Sequence, residues 1–594
     1  MDIFVCIKQV PSTNKVQVDE KTGVLKRSGI QSKMNPYDLY ALETALRLKA
    51  RYGGTVTVGT MGPPQAQAII REAYMMGADD GYVFSDRRLG GADVLATSYT
   101  LSQAIQSVGD FDLILCGRRA VDGETGQVGP MVAAMLDRPC VVNATEGEIA
   151  DGCLKAIQLT EVGSLQWKAP LPAVMTLCEW SHALRLPTIS GLRRAAQANV
   201  RICEPEDLGI DPADCGLKAS PTRVTHISAR PVGVRPCVKT SFAEVMKALE
   251  AKGLALGASG QAEEAAPAAS ASPENGNSTA ITIAVLCEGD GSAAAELLGK
   301  ARQLTPSGRV LALSETAEPP LSAFASFGAD EAVPLGRLTD DCAQAERIAD
   351  ALRQLRPDTV LFPATIRGRF MSAWVAARLH TGLTADCTAL SLTDAGLLKQ
   401  VRPAFGGNLT AEILCRTARP QMASVRPGVF PIPQPADGRV CALRPLKLAA
   451  SPERLERLVF TPAESGVSLQ GAPVIVTGGK GVGSKKGFEK LEELAALLGG
   501  GVGATRSAVD AGWIGYPHQI GQTGVTVRPR LYLAFGVSGL VQHTVGMSSS
   551  GVVVAVNRDR NAPIFACADY GIVADWEEII GEWIQYVKER KQQS

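Results

Sequence analysis

The chain reads as an α/β protein of three doubly wound parallel-sheet domains, two of them a duplicated pair and the third a cofactor domain. Three observations predict this. Short apolar runs such as Asp2–Ile7, Thr55–Gly59, Leu113–Cys116, Ile281–Leu286 and Val360–Phe362 alternate with segments of helical period, the pattern of strands buried on both faces of a parallel sheet. Blocks of sequence recur once at long range. Finally, the last 120 or so residues carry several polar, Gly-rich segments, each at the end of an apolar run, where the strand-to-helix turns of an open sheet lie.

The repeat is specific. Met76-Gly-Ala-Asp-Asp-Gly-Tyr-Val83 returns as Phe327-Gly-Ala-Asp-Glu-Ala-Val333. Asp112-Leu-Ile-Leu-Cys-Gly117, with a helix running to Leu136-Asp-Arg-Pro139, returns as Asp358-Thr-Val-Leu-Phe-Pro363 with a helix running to Leu379-His-Thr-Gly382. Gly152-Cys-Leu-Lys155 has its counterpart in Gly396-Leu-Leu-Lys399. Two copies of so long a period imply paired domains rather than a solenoid. Residues 256–280, small and polar without apolar periodicity, read as a flexible linker, and 451–470 as a hinge. The expected blocks are 1–255, 281–450 and 471–594.

Composition removes several classes of function. The 594 residues carry 60 Lys+Arg against 60 Asp+Glu, so no basic excess favours nucleic acid. No apolar run is long enough to span a bilayer. Met1-Asp-Ile-Phe-Val-Cys-Ile-Lys8 reads as a strand rather than a signal peptide, which makes a cytoplasmic location the expectation. The 14 cysteines contain no C-x-x-C pair and the five histidines no ligand spacing, so no metal or iron–sulfur site is expected. No Ser/His/Asp or paired-carboxylate constellation points to hydrolysis.

Val474-Ile-Val-Thr-Gly-Gly-Lys-Gly481 is a strand entering a Gly-rich turn. It lacks full G-x-G-x-x-G spacing and the acidic ribose ligand that follows it in nicotinamide-binding folds. The other candidate loops are Ala504-Thr-Arg506, Gln519-Ile-Gly-Gln-Thr-Gly524, Ser538-Gly-Leu-Val-Gln-His543 and Asp569-Tyr-Gly-Ile-Val-Ala-Asp575. In order and wording these segments resemble the FAD domain of the alpha subunit of electron-transfer flavoproteins. Cys6-Ile-Lys-Gln-Val-Pro11, Met34-Asn-Pro-Tyr-Asp38 and Gly117-Arg-Arg-Ala-Val-Asp-Gly-Glu-Thr-Gly-Gln-Val-Gly129 resemble the beta subunit. The resemblance thus implies a beta-like and an alpha-like subunit fused in one chain, beta first, and a redox carrier rather than a hydrolase.

What it implies residue by residue is as follows. Thr505 and Arg506, Ile520, Gly521, Gln522 and Thr523, Ser538, Gly539, Leu540, Val541, Gln542 and His543, with Asn557 and Asp575, would hold FAD. Arg506 would lie against the ring and favour its reduced anionic form. Thr523 with Gln522 would reach N5 and O4, and His543 would donate to C2=O. Ser538 and Gly539 would cradle the pyrophosphate, and Asn557 and Asp575 the adenosine half. Lys480 stands where the family often has arginine, keeping the charge and losing the fork. In the amino-terminal block Cys6, Asn35, Asp122, Gly123, Glu124, Thr125, Gly126, Gln127, Val128 and Gly129 would hold a nucleotide.

That nucleotide is AMP or a second FAD in the family. Asp122–Pro130, Arg402-Pro-Ala-Phe-Gly-Gly-Asn408 and Arg416–Gly428 look like the two-flavin, NADH-linked branch. There, NADH would reduce the amino-terminal flavin and its electrons would part. One would go to the carboxy-terminal flavin, the other to ferredoxin or flavodoxin. Arg369, with Arg367, would approach that flavin. Arg185-Leu-Pro-Thr-Ile-Ser-Gly-Leu-Arg-Arg194 resembles the loop that docks on acyl-CoA dehydrogenases, with Ile189 as the apolar anchor. Two alternatives stay open: a one-FAD, AMP-containing shuttle from acyl-CoA dehydrogenases to a quinone reductase, and a nucleotide-binding regulator without redox chemistry.

Overall fold

The structure is a computed structural model. It describes residues 1–12, 32–179, 182–229, 235–255, 280–288, 292–404, 409–436, 438–462, 469, 472–521, 524–525, 527–548 and 550–593. The linker 256–280 therefore lies almost wholly outside the described residues, as do Gln522 and Thr523.

Two compact units form. The first contains Met1–Ser228, Gly276–Phe405 and Leu409–Pro462. Its two mainly parallel sheets repeat one topology. In the first half, Asp80–Phe84, Val56–Met61, Ile3–Cys6, Leu113–Gly117, Ala173–Leu177 and Cys140–Ala150 lie side by side. In the second, Glu331–Pro334, Arg309–Ser314, Thr282–Cys287, Thr359–Pro363, Gln421–Val425 and Leu383–Cys387 follow the same order. The recurring sequence blocks thus occupy equivalent strands and turns, as duplication predicts. Strands such as Ile3–Cys6 and Thr359–Pro363 are buried along their whole length, because helices cover both faces.

The halves are joined more intimately than as paired domains. Helices Val128–Met135 and Ile366–Arg378 pack together, so that Met131, Ala134, Phe370 and Trp374 belong to one hydrophobic core. Each half also lends a strand to the other. Glu456–Pro462, inside the expected hinge, pairs antiparallel with Gly163–Pro170 of the first half. Thr222–Ala229 of the first half joins the sheet of Leu409–Cys415 in the second. The expected hinge 451–470 therefore contains a strand. The pairing partner that makes part of it a strand lies some 300 residues away in sequence.

The second unit contains Ala463–Ser594 together with residues from 229–275. Its sheet is wholly parallel, in the order Val238–Lys239, Tyr570–Ile572, Val552–Val556, Leu531–Phe535, Val474–Gly478, Gly501–Ala504. Residues 235–255, placed by linear reading in the first block, complete this unit. Val238–Lys239 pairs with Tyr570–Gly571. Arg235 donates to Asp569 at 2.5 Å and to the carbonyl of Gly551 at 2.9 Å. Helix Phe242–Ala251 buries Val245, Met246 and Leu249 against Val482, Phe488 and Trp583 in the core, with Phe242 edge-on to Trp583 at 5.5 Å. Truncating Leu249 to alanine is expected to cost about 2–5 kcal/mol and to lower the urea midpoint of this unit. An unchanged midpoint by tryptophan fluorescence would mean the helix is not part of its cooperative core.

Candidate functional site

The carboxyl ends of the second unit's strands place most of the expected FAD residues along one edge. Gly479–Gly483 follows Val474–Gly478, Thr505 and Arg506 follow Gly501–Ala504, Gly536–Leu540 follows Leu531–Phe535, and Asn557 follows Val552–Val556. The chain reverses direction across the sheet between Val474–Gly478 and Leu531–Phe535, which are neighbours. This switch point is where doubly wound folds bind ligands. The backbones there approach too closely for side chains. A Cβ on Gly479 would lie 2.2 Å from the Gly536 carbonyl, and one on Gly539 (φ +87°) 2.1 Å from Ile564 N.

Polar atoms at this edge fit a bound group. Thr505 is nearly buried and its hydroxyl has no hydrogen-bond partner among the described residues. Ser538, Leu540 and Gln542 are exposed, Val541 half-buried and Lys480 exposed. Arg506 opens the short helix Arg506–Asp510 and pairs with Asp510 at 3.4 Å while half its side chain meets solvent. Asn557 and Asp575 are committed partly to the protein. The Asn557 amide donates to Val537 O at 2.9 Å, and Asp575 accepts Glu577 N at 2.8 Å as cap of the last helix.

Ile520 and His543 turn their side chains into the unit. Ile520 is a core residue, 1% exposed. His543 is buried, with Nδ1 2.9 Å from Ile520 O and Nε2 2.9 Å from the Tyr532 hydroxyl. A carbonyl only accepts, so Nδ1 carries the proton and Nε2 accepts from Tyr532. Both ring nitrogens are thereby engaged inside the unit, and in this structure His543 secures the Ile520–Gly521 turn rather than donating outward. Gly521 (φ +138°) passes so close to the short helix Val541–Thr544 that a Cβ would lie 2.4 Å from Gln542 O.

In the first unit the equivalent switch point lies between Ile3–Cys6 and Leu113–Gly117. The loop 118–127 and the start of helix Val128–Met135 sit at its edge. Glu124 and Gly126 take left-handed backbone (φ 56° and 62°). Asp122 accepts from Lys8 Nζ and from Gly123 N at 2.8 and 2.7 Å, and Thr125 is half-buried. Gln127 is 1% exposed, yet both ends of its amide lack a partner among the described residues, as a residue awaiting a polar ligand would. Gly129 packs on Thr176, where a Cβ would fall 2.5 Å from Cγ2. Val128 is the helix's first residue.

Asn35 and Cys6 lie beneath this loop rather than facing out of it. The Asn35 amide donates to Asp38 and to Arg119 O, both at 2.9 Å, and accepts Val121 N at 3.2 Å. It latches the loop. Cys6 is buried beside Cys116 in the paired strands. Asp38, which sequence reading did not single out, accepts Lys8 N at 2.7 Å, and burial pushes its carboxyl up to about 7.

Beside the loop is a cluster that joins Arg369, expected from the sequence, and the motif residues Arg402 and Arg426 to Asp386, which the sequence did not mark. Asp386 (φ 61°) receives Arg369 at 2.8 Å and an ion pair from Arg426. Burial alone would raise Asp386; Arg369 and Arg426 instead hold it well below the usual carboxylate range, with Arg402 adding to them. Arg402 is nearly buried and its Nε has no hydrogen-bond partner among the described residues. Glu124 is in electrostatic reach of Arg119, Arg402 and Arg426. Arg369, Arg402 and Arg426 thus gather round Asp386 and Glu124, while Arg119 is also in reach of Glu179. Arg367 is used elsewhere, pairing with Glu315 and Asp341 at 2.6 Å each.

The expected docking segment is a projecting tip. Leu186 is 82% and Ile189 75% exposed, with Leu192 at 50%. Thr188 caps helix Ile189–Gln197 through Gly191 N at 3.0 Å. Among the described residues no helix is long and apolar enough to cross a membrane, and in the one acidic cluster with metal-like spacing, Asp86, Glu204 and Glu206, Asp86 and Glu206 are already paired with Arg88.

Comparison with known proteins agrees with this architecture. The Electron transfer flavoprotein domain matches twice, at residues 22–207 and 291–451, and the Electron transfer flavoprotein FAD-binding domain matches residues 468–548. The chain belongs to the electron transfer flavoprotein family. It is 44% identical over 312 residues to the electron transfer flavoprotein subunit alpha of Thermoanaerobacterium thermosaccharolyticum, covering 50% of this chain and 94% of that one. It is 38% identical to the acryloyl-CoA reductase electron transfer subunit beta of Anaerotignum propionicum, over 45% of this chain and 82% of that one. It is 41% identical to the caffeyl-CoA reductase-Etf complex subunit CarD of Acetobacterium woodii, over 42% and 97%.

Burial of neutral His543 lowers its pKa to about 4. Its contribution to stability is therefore complete above the unfolded value near 6.5. It is lost as pH falls from there toward about 4, since only the unfolded chain takes up the proton. About 3 kcal/mol of acid sensitivity should be removed by His543→Gln. Identical pH profiles of urea stability for the two proteins would contradict the buried, neutral ring.

Proposed function

We propose that the chain is a fused electron-transfer flavoprotein, beta-like half first, holding one FAD at the carboxy-terminal switch point and a second at loop 118–127. In this reading it exchanges electrons with NADH, with an acyl-CoA-dehydrogenase-like flavoprotein docked near Ile189, and with ferredoxin or flavodoxin. When bound, FAD accepts electrons in pairs and releases them singly. The protein's own residues do the rest. The glycine turns at 479–481 and 536–539 let backbone close on a pyrophosphate. Thr505 offers a buried hydroxyl to the ring, Arg506 a permanent cation, and Gln522 and Thr523 further donors.

The observation that carries two flavins over AMP is the convergence of Arg369, Arg402 and Arg426 on Asp386, with Glu124 the second carboxylate in reach of Arg402 and Arg426. Three buried guanidinium groups set against two carboxylates leave net positive charge there, and buried charge that is only partly compensated is costly. A flavin reaching past Glu124 would offer its polar ring edge to them. The relatives named for acryloyl-CoA and caffeyl-CoA reductases accord with a partner that handles acyl-CoA compounds. NADH as donor rests on the family resemblance.

Denaturing the purified protein and quantifying the released nucleotides tests this directly. Two FAD and no AMP per chain are expected; one FAD with one AMP would replace the proposal with the one-flavin shuttle. Docking is tested separately. Ile189→Ala should raise the KM for an acyl-CoA dehydrogenase about tenfold or more, as for a central apolar anchor, while flavin content stays constant.

A further inference from the structure

The apolar tip is an energetic anomaly: large side chains at Leu186 and Ile189 stand in solvent, where collapse onto the surface would bury them. Something must hold the backbone out. One anchor lies at the far end. Gly191 sits on helix Gln67–Met76, where a Cβ would be 2.1 Å from Met75 O. Arg194 donates to Tyr74 O and Arg71 to Ala195 O, both at 3.0 Å.

The near anchor is a buried carboxylate remote in sequence. Glu43, in the middle of helix Pro36–Tyr52, is 3% exposed. Its Oε2 accepts the Arg185 backbone N–H at 3.2 Å and Nε at 2.8 Å, while Oε1 accepts Arg185 Nη2 at 3.2 Å. Arg47, one turn along the helix, fills Oε1 at 2.8 Å and reaches Ala183 O at 3.5 Å. Arg185 immediately precedes Leu186. A two-point guanidinium fork fixes direction as well as distance, and the added main-chain bond sets the path of the chain into the tip. A carboxylate so buried needs these donors, which makes the contact costly to open.

We infer that Glu43 is a positioning residue for partner docking: through Arg185 it holds Leu186 and Ile189 outward without touching the partner. The inference rests on the docking reading above. Its consequence is a split in kinetic constants, since loss of the anchor leaves the cofactor sites intact and makes the partner pay for ordering the loop.

The test uses the full chain with an acyl-CoA dehydrogenase as electron donor. Glu43→Gln is expected to raise KM for the dehydrogenase about tenfold, the loss of charged hydrogen bonds, with kcat and flavin per chain unchanged and faster amide exchange over 183–188. Arg185→Gln removes the same contact from the exposed side and should reproduce the effect if Glu43→Gln fails to fold. Arg185→Lys, which keeps the charge without the fork, should fall between. A KM within twofold of the parent for both Glu43→Gln and Arg185→Gln, while Ile189→Ala raises it, overturns the positioning role and leaves docking at the tip standing. An unchanged KM for Ile189→Ala removes the docking reading and this inference with it.

Discussion

A parallel sheet buried on both faces has nowhere to put polar groups except the ends of its strands. That constraint organises this molecule. Ile3–Cys6, Thr359–Pro363 and Val474–Gly478 are apolar or fully buried throughout, and the chemistry is displaced to their carboxyl edges. In the second unit the edge is so crowded that turns 479–481 and 536 meet backbone to backbone. Glycine there is a packing requirement, and the surface it creates is one of amide groups and small polar side chains.

The same constraint met electrostatics differently in the two halves of the first unit. After Leu113–Gly117 the loop leaves Gln127 buried, its amide without a hydrogen-bond partner among the described residues. At the corresponding turn of the second half, Arg367 is neutralised by Glu315 and Asp341 beside Glu288, whose carboxyl burial pushes up to about 8. One copy of the duplicated edge keeps open polar capacity; the other has filled its own with ion pairs. Two arginines of the second half that gather round Asp386, Arg402 and Arg426, are in electrostatic reach of Glu124 of the first. Duplication thus supplied two equivalent edges, and burial of charge differentiated them.

Helix Pro36–Tyr52 serves two ends of the first half. Asn35 and Asp38 at its start organise the loop 118–127, and Glu43 and Arg47 in its middle carry the exposed tip. A rigid helix fixes both by fixed spacing, which is why side chains of ordinary appearance in sequence become structural pivots.

Periodicity and repetition determined the fold class, the duplicated strand order and the edge on which the candidate sites lie, because short-range patterning and turn chemistry are local properties. Thr505, Arg506, Ser538 and Asp122 stand at strand ends for that reason. Tertiary structure alone decided which polar residues face outward. His543 and Asn35 carry the right chemistry at the right place, yet Tyr532, Ile520 O and Arg119 O consume their hydrogen bonds. Likewise no local signal marks residues 235–255 as part of the carboxy-terminal unit, or Glu456–Pro462 as a strand of the amino-terminal sheet. Those placements depend on partners hundreds of residues away, whose complementary edges and apolar faces exist only once the chain has folded.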